Sequence, residues 1–243
     1  MRGAGKTPVP RRIVDPVFFI LAATSILCAF LISFRATRIG FPDFGFLVWN
    51  LFLAWLPLVC SMAALLWARL ASGSAMAAGV VVCGVAWLLL FPNAPYLMTD
   101  FIHLIFANRW MHYDADGLWV WYDLVLYFLF TWCGLLLGYL SMNQMHAIVR
   151  HFWNEAGGWL FVLTSGMLGG FGVYLGRVVR LNSWDVLHPA RILEQIVDAI
   201  HRDSIAFTLL FGTLILIVYV SLYALGPSRD RRREAPRPPS ASP

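Results

Sequence analysis

Phe91-Pro-Asn-Ala-Pro-Tyr-Leu-Met-Thr-Asp-Phe-Ile-His-Leu104 follows directly on an apolar run long enough to cross a bilayer. It places two prolines, an amide, a phenol, a carboxylate and an imidazole where lipid tolerates almost none of them. Irregular, polar backbone at membrane depth persists only where protein or a water-filled cavity surrounds it. Ionisable side chains there are costly and point to function. The prolines remove backbone donors and stop a helix. The carbonyls they free need partners, which Asn93 or a neighbouring arginine can supply. Thr99 is placed to cap a new short helix starting at Asp100. On that helix Asp100 and His103 stand three apart and share a face.

Working outward, the chain of 243 residues is 60% apolar and only 13% charged. Soluble domains are roughly one quarter charged, so the class is a polytopic membrane protein. Six apolar runs, at 16–34, 44–67, 75–92, 118–141, 158–176 and 205–225, each come near the ~20 residues a helix needs to cross the hydrocarbon. The first run has basic residues before it, but Ser33-Phe-Arg-Ala-Thr37 lacks a small-residue cleavage pattern, so it reads as an uncleaved anchor. The expected organisation is a basic N-terminal tail (1–15), one membrane domain (16–225) and a disordered, basic, Pro-rich C-terminal tail (226–243). Cys28, Cys60, Cys83 and Cys133 all fall inside spans and form no C-x-x-C pair. They read as small buried hydrophobes.

Six spans put both tails on one side. Eleven basic residues lie in the tails and even loops, against seven in the odd loops. The positive-inside rule therefore predicts cytoplasmic tails in a bacterial inner membrane. The third odd loop departs from the rule, because Arg177, Arg180, Arg191 and Arg202 lie on the predicted outer side. Partners for those arginines would explain it. Arg231-Arg-Arg233 in the C-tail suits anionic lipid headgroups better than nucleic acid, given its position beside a span.

On this topology four segments bring polar groups to one membrane face. Asn50 starts the second span, and Asn93, Tyr96, Asp100 and His103 leave the third. Trp119, Trp121, Tyr122 and Asp123 start the fourth, with Asp123 on a stripe with Tyr127 and Thr131. Tyr174, Arg177, Arg180, Asn182, Ser183, Trp184 and Asp185 leave the fifth. Arg177 and Arg180, three apart at a helix end whose dipole favours cations, are the expected partners of Asp100 and Asp123. A purely structural ion pair of Arg177 with Asp123 is the competing reading. Ala190–Arg202 has an apolar stripe and a charged one, and predicts an amphipathic helix in the outer interface. Gly134/Gly138, Gly166/Gly170 and Gly172/Gly176 are small-xxx-small faces that suggest close approach of the fourth and fifth spans. His146, Arg150, His151 and Glu155 fall in the opposite loop and read as a solvated helical extension.

Some chemistry fits poorly. Thr164-Ser165-Gly166 is similar to an intramembrane serine nucleophile, yet the last span has no histidine to act as base. Two Asp-x-x-His pairs, Asp100/His103 and Asp185/His188, have donor types that zinc uses, but this spacing is common and no metal or other cofactor is specified.

Phe91-Pro-Asn-Ala-Pro-Tyr96 with Thr99-Asp100 and His103-Leu104, Trp121-Tyr-Asp123, Tyr174-Leu-Gly-Arg177 and Arg180-Leu-Asn-Ser-Trp-Asp185 occur together here, with Asn50-Leu-Phe-Leu-Ala-Trp-Leu-Pro57 ahead of them. In this combination the chain resembles the bacterial multi-pass membrane family catalogued as domain-of-unknown-function family 1361. The resemblance covers nearly everything between the tails. It implies a membrane domain of several helices and no assigned activity.

The sequence thus predicts an all-α polytopic bundle of about six transmembrane helices. A short re-entrant or interfacial helix follows the third span, and an amphipathic interfacial helix precedes the last. Its polar site is expected to bind an anionic or lipid-linked ligand, held by Arg177 and Arg180. Asp100 and His103 are the catalytic candidates should the ligand be processed. Asn50, Asn93, Tyr96, Asp123, Asn182, Trp184 and Asp185 are the other binding candidates. A small-solute or ion transporter with Asp123 and Asn50 on its path, and a structural subunit locked by its charges, are the alternatives. The bilayer is the one partner the composition specifies, and oligomeric state is left open.

Overall fold

Apolar composition at helical length produces six helices able to cross a membrane in the computed structural model, which describes residues 16–38, 44–105, 117–180 and 198–226. The elements are α1 (Pro16–Arg38), α2 (Phe46–Leu70), α3 (Gly73–Leu90), the short α4 (Asn93–Thr99), α5 (Leu118–Phe152), α6 (Glu155–Tyr174) and α7 (Arg202–Leu225). The third crossing runs from Gly73 to Ile105 and so contains both α3 and α4. Successive crossings alternate in direction. The end of α1, the starts of α2, α5 and α7, and the segment after α4 therefore share one end of the bundle. Asn182, Trp184, Asp185 and most of the expected interfacial helix at 190–202 lie outside the described residues. Arg202, assigned to that helix from sequence, begins α7 instead.

The outer helices expose Phe19, Ile20, Ile26, Phe30, Leu209, Leu210 and Ile217, side chains suited to hydrocarbon. α1 buries a narrow stripe of Leu21, Cys28, Ile32 and Arg35. One apolar core gathers Leu21, Leu47, Leu97, Leu126 and Phe130 between α1, α2, α4 and α5. A second gathers Trp87, Phe91, Met142, Val162 and Tyr219 between α3, α5, α6 and α7. The cysteines are free, with Cys28 and Cys133 buried.

The opening motif breaks the third crossing in a different place from that expected. Phe91 and Pro92 form a turn and helix resumes already at Asn93; after a second turn at Asp100, residues 101–105 are helical again, close to the short helix expected from Asp100. Asn93 Nδ2 donates to the Leu90 carbonyl at 2.9 Å, filling a carbonyl left by the break. Thr99 caps nothing: its hydroxyl donates back to the Tyr96 carbonyl at 2.6 Å. Pro95 is tolerated inside α4 because it falls in the first turn, where the missing N–H has no intrahelical partner to lose. Ala94, Pro95 and Leu97 are buried, so α4 is packed in the bundle rather than laid on its surface.

The glycine faces serve other partners than the fourth and fifth spans expected of them. A Cβ on Gly134 would sit 2.5 Å from the Ala94 carbonyl oxygen, so this glycine admits α4 against α5. A Cβ on Gly170 would sit 2.5 Å from the Gly212 nitrogen, so this one admits α7 against α6. On α6, the Gly172 face meets Pro92. The break and the last span thus occupy the small-residue seams.

At α5, apolar burial continues well past position 141, where the sequence reading ended the span. The helix holds 35 residues, about 52 Å at ~1.5 Å per residue, against ~30 Å of hydrocarbon. Asn154 then caps α6, its side chain accepting from Gly157 N at 2.7 Å.

Candidate functional site: a charged cluster at one end of the bundle

Asp100 is the centre of the first group. Its carboxylate is fully buried and receives Asn50 Nδ2 on Oδ2 at 2.9 Å and Arg177 Nη1 on Oδ1 at 3.1 Å. Arg177 also donates from Nη1 to the Tyr96 hydroxyl oxygen at 3.1 Å and from Nη2 to the Thr99 carbonyl at 2.8 Å. Its guanidinium carbon stands 5.3 Å from the Tyr96 ring centre. Three crossings are joined here through one carboxylate.

Arg177 reaches this position from an unusual backbone. Leu175–Val179 is a π-helical turn, closed by Arg180 in the left-handed region at φ 64°, ψ 32°. Such turns are rare and frequent at functional sites. Arg177 is carried inward, whereas Arg180 is exposed and forms no ion pair among the described residues. Sequence reasoning made both arginines partners of the two aspartates. Only Arg177 is one, and only to Asp100.

Asp123 belongs to a second group. Arg35 grips it with two bonds, Nε to Oδ1 at 2.6 Å and Nη2 to Oδ2 at 2.9 Å. The Arg35 guanidinium carbon lies 4.0 Å over the Phe44 ring. Beside it the Tyr122 hydroxyl donates to the Leu31 carbonyl at 2.6 Å, so α1 is tied to α5 by a salt bridge and a hydrogen bond. Assigning Asp123 to Arg177 was wrong because the first span was ended at 34, leaving Arg35 in a loop. The missed signal is the stripe itself: Leu21, Cys28, Ile32 and Arg35 recur at spacings of one helix face.

Tyr127, one turn beyond Asp123, lies between the two groups. It is fully buried, packs against Phe44 and Phe101, and its hydroxyl has no hydrogen-bond partner among the described residues. Asp100, Asp123, Arg35 and Arg177 all act on it electrostatically. Thr131, next on the stripe, is buried and donates to the Leu97 carbonyl at 3.2 Å. His103 is half-buried, its ring 4.8 Å from the Phe46 ring centre, and its side chain makes no hydrogen bond among the described residues. Its backbone N–H donates to the Asp100 carbonyl. Asp100 and His103 are thus neighbours without being bonded through their side chains. Among the described residues no group of three or more His, Cys, Asp or Glu is assembled.

The opposite end also differs from expectation. His146 is buried, not solvated, with Nδ1 2.7 Å from the Tyr219 hydroxyl and its ring against Trp159 and Tyr223. Arg150 pairs with Glu155 and donates to the Tyr223 hydroxyl at 2.9 Å. The aromatic face of α7 supplies this burial, and the α5 sequence alone does not reveal it. Between the two ends stand Phe91, Trp87, Phe130 and Leu137, all buried.

Among the described residues, the arrangement at the first end couples two buried carboxylates to two arginines, leaves Arg180 outside, and encloses the Tyr127 hydroxyl without a partner. No curated protein and no solved structure matches the chain. Residues 49–218 match a family described as protein of unknown function (DUF1361), a segment that holds every crossing from α2 to most of α7 and with them Asn50, Asp100, Asp123 and Arg177. The chain is a multi-pass membrane protein that belongs to the DUF1361 family.

Proposed function

We propose that the charged end of the bundle binds an anionic, lipid-linked ligand and that Asp100 handles a proton there. The carrying observation is the division of labour along the π turn. Arg177 neutralises Asp100, Arg35 neutralises Asp123, and Arg180 stands exposed without an ion pair among the described residues. Among the described residues of this cluster two arginines face the two aspartates and Arg180 stands over, an excess that favours an anion. Its position at the end of the crossings favours a ligand held at the bilayer surface. His103, half-buried beside Asp100 in the chain, is the second group placed for proton transfer.

Transport is the reading this arrangement favours less. A broken span such as α3–α4 is a transporter feature, but large apolar side chains, Trp87, Phe91, Phe130 and Leu137, stand buried between the ends. Native mass spectrometry of protein purified in gentle detergent tests the proposal. A co-purifying anionic lipid or lipid-linked molecule that is lost in Arg180→Gln is expected. Protein that carries the same bound species in wild type and variant would refute the site.

In this reading the membrane is the bacterial inner membrane and both tails are cytoplasmic, which places the charged end outside. Reporter fusions after Gly226 and within 107–117 are expected to show opposite accessibility. A cytoplasmic signal from the 107–117 fusion would invert the orientation.

A further inference from the structure

We infer that capture of an oxyanion at Arg177 is coupled to uptake of one proton by Asp100. The inference rests on the anion-binding reading above. Arg177 is the only full counter-charge bonded to the Asp100 carboxylate among the described residues, Asn50 being neutral. An oxyanion drawn in past Arg180 competes with Asp100 for that one guanidinium. Asp100 is then a fully buried carboxylate beside a second negative charge. Breaking the compensation of a buried charge is strongly unfavourable, and the arginine cannot give up its own proton. Protonating Asp100 removes the conflict.

The surroundings suit a neutral acid. Asn50 continues to donate to one oxygen. The Tyr127 hydroxyl nearby is buried and has no hydrogen-bond partner among the described residues, and Asp100 acts on it electrostatically. A buried polar group without a partner is an exception that calls for a reason. A neutral Asp100, able to donate as well as accept, would offer it one kind of partner more than the carboxylate does. Asp123 and Arg35 neutralise each other on the far side of Tyr127. Tyr96 accepts from Arg177, and His103 stays half-exposed with no side-chain bond among the described residues.

The test uses the full chain in neutral-lipid nanodiscs, titrated calorimetrically with two probes whose own charge is constant between about pH 6 and 9. Sulfate represents a free oxyanion and short-chain phosphatidylglycerol a lipid headgroup, so the tighter probe identifies the source. Repeating each titration in buffers of different ionisation heat counts the protons taken up. Near one proton per anion is expected, with affinity falling about tenfold per pH unit in the alkaline range. Asp100→Asn keeps the shape and the hydrogen-bond acceptor, and is expected to bind with that pH slope abolished and no proton uptake. Binding without proton uptake, or a wild-type slope in Asp100→Asn, would overturn the coupling and leave the anion site standing. Absence of binding by either probe at every pH would overturn both.

Discussion

Two ion pairs stand at the same end of this bundle, and they are built differently. Arg35 and Asp123 are 1% and 0% exposed and joined by two parallel bonds. Arg177 and Asp100 are 18% and 0% exposed, joined by one bond of 3.1 Å, with Asn50, Tyr96 and Thr99 sharing the work. The first pair is sealed under Phe44 and fastens α1, a helix that buries little else. The second is distributed and half open, and its arginine can answer to something else. Bidentate, dry pairs specify a structure, whereas a shared and partly wet pair leaves a cation available for exchange.

The largest effect should come from the sealed pair. Asp123→Asn or Arg35→Gln alone leaves a buried charge uncompensated, at about 3–5 kcal/mol. Either should lower thermal stability in detergent sharply, and the double variant should recover much of the loss. If the two single losses simply add, the pair is not coupled and the contrast fails. Asp100→Asn should cost less, about 1–3 kcal/mol, because the amide oxygen still accepts from one of the two donors, the Asn50 amide can turn its own oxygen to the new NH2, and Arg177 reaches solvent. A loss equal to that of Asp123→Asn would mean the two pairs are sealed alike.

Tyr127→Phe removes a hydroxyl with no partner among the described residues, so stability should be unchanged or slightly raised. A clear loss by thermal denaturation would show that this hydroxyl already has a partner. The smallest stability effect is expected from Arg180→Gln, within about ±0.5 kcal/mol as for ordinary surface changes. Its consequence should appear in anion affinity instead.

Much of this was legible in the chain because lipid imposes simple rules. Six runs of apolar residues could only be crossings, and the alternation of crossings brought Asn50, Tyr96, Asp100 and Arg177 to one face. The stripe Asp123–Tyr127–Thr131 was readable for the same reason, since helical spacing fixes a shared side. Pairing was not legible. Three arginines within reach of two aspartates have several allocations, and the backbone at 175–179 decides between them. Nor could the α5 pattern reveal that His146 is buried, because the tyrosines that cover it sit more than seventy positions away on α7. Spacing reports faces within a helix but does not report which helix lies opposite.

The π turn at Leu175–Val179 has an evolutionary consequence. One residue inserted into an α-helix is accommodated as such a turn, and it rotates everything downstream by about 100°. Arg177 stands within the turn, bonded to Asp100, and Arg180 closes it, exposed. The allocation of charge therefore depends on the length of this segment as much as on its residues.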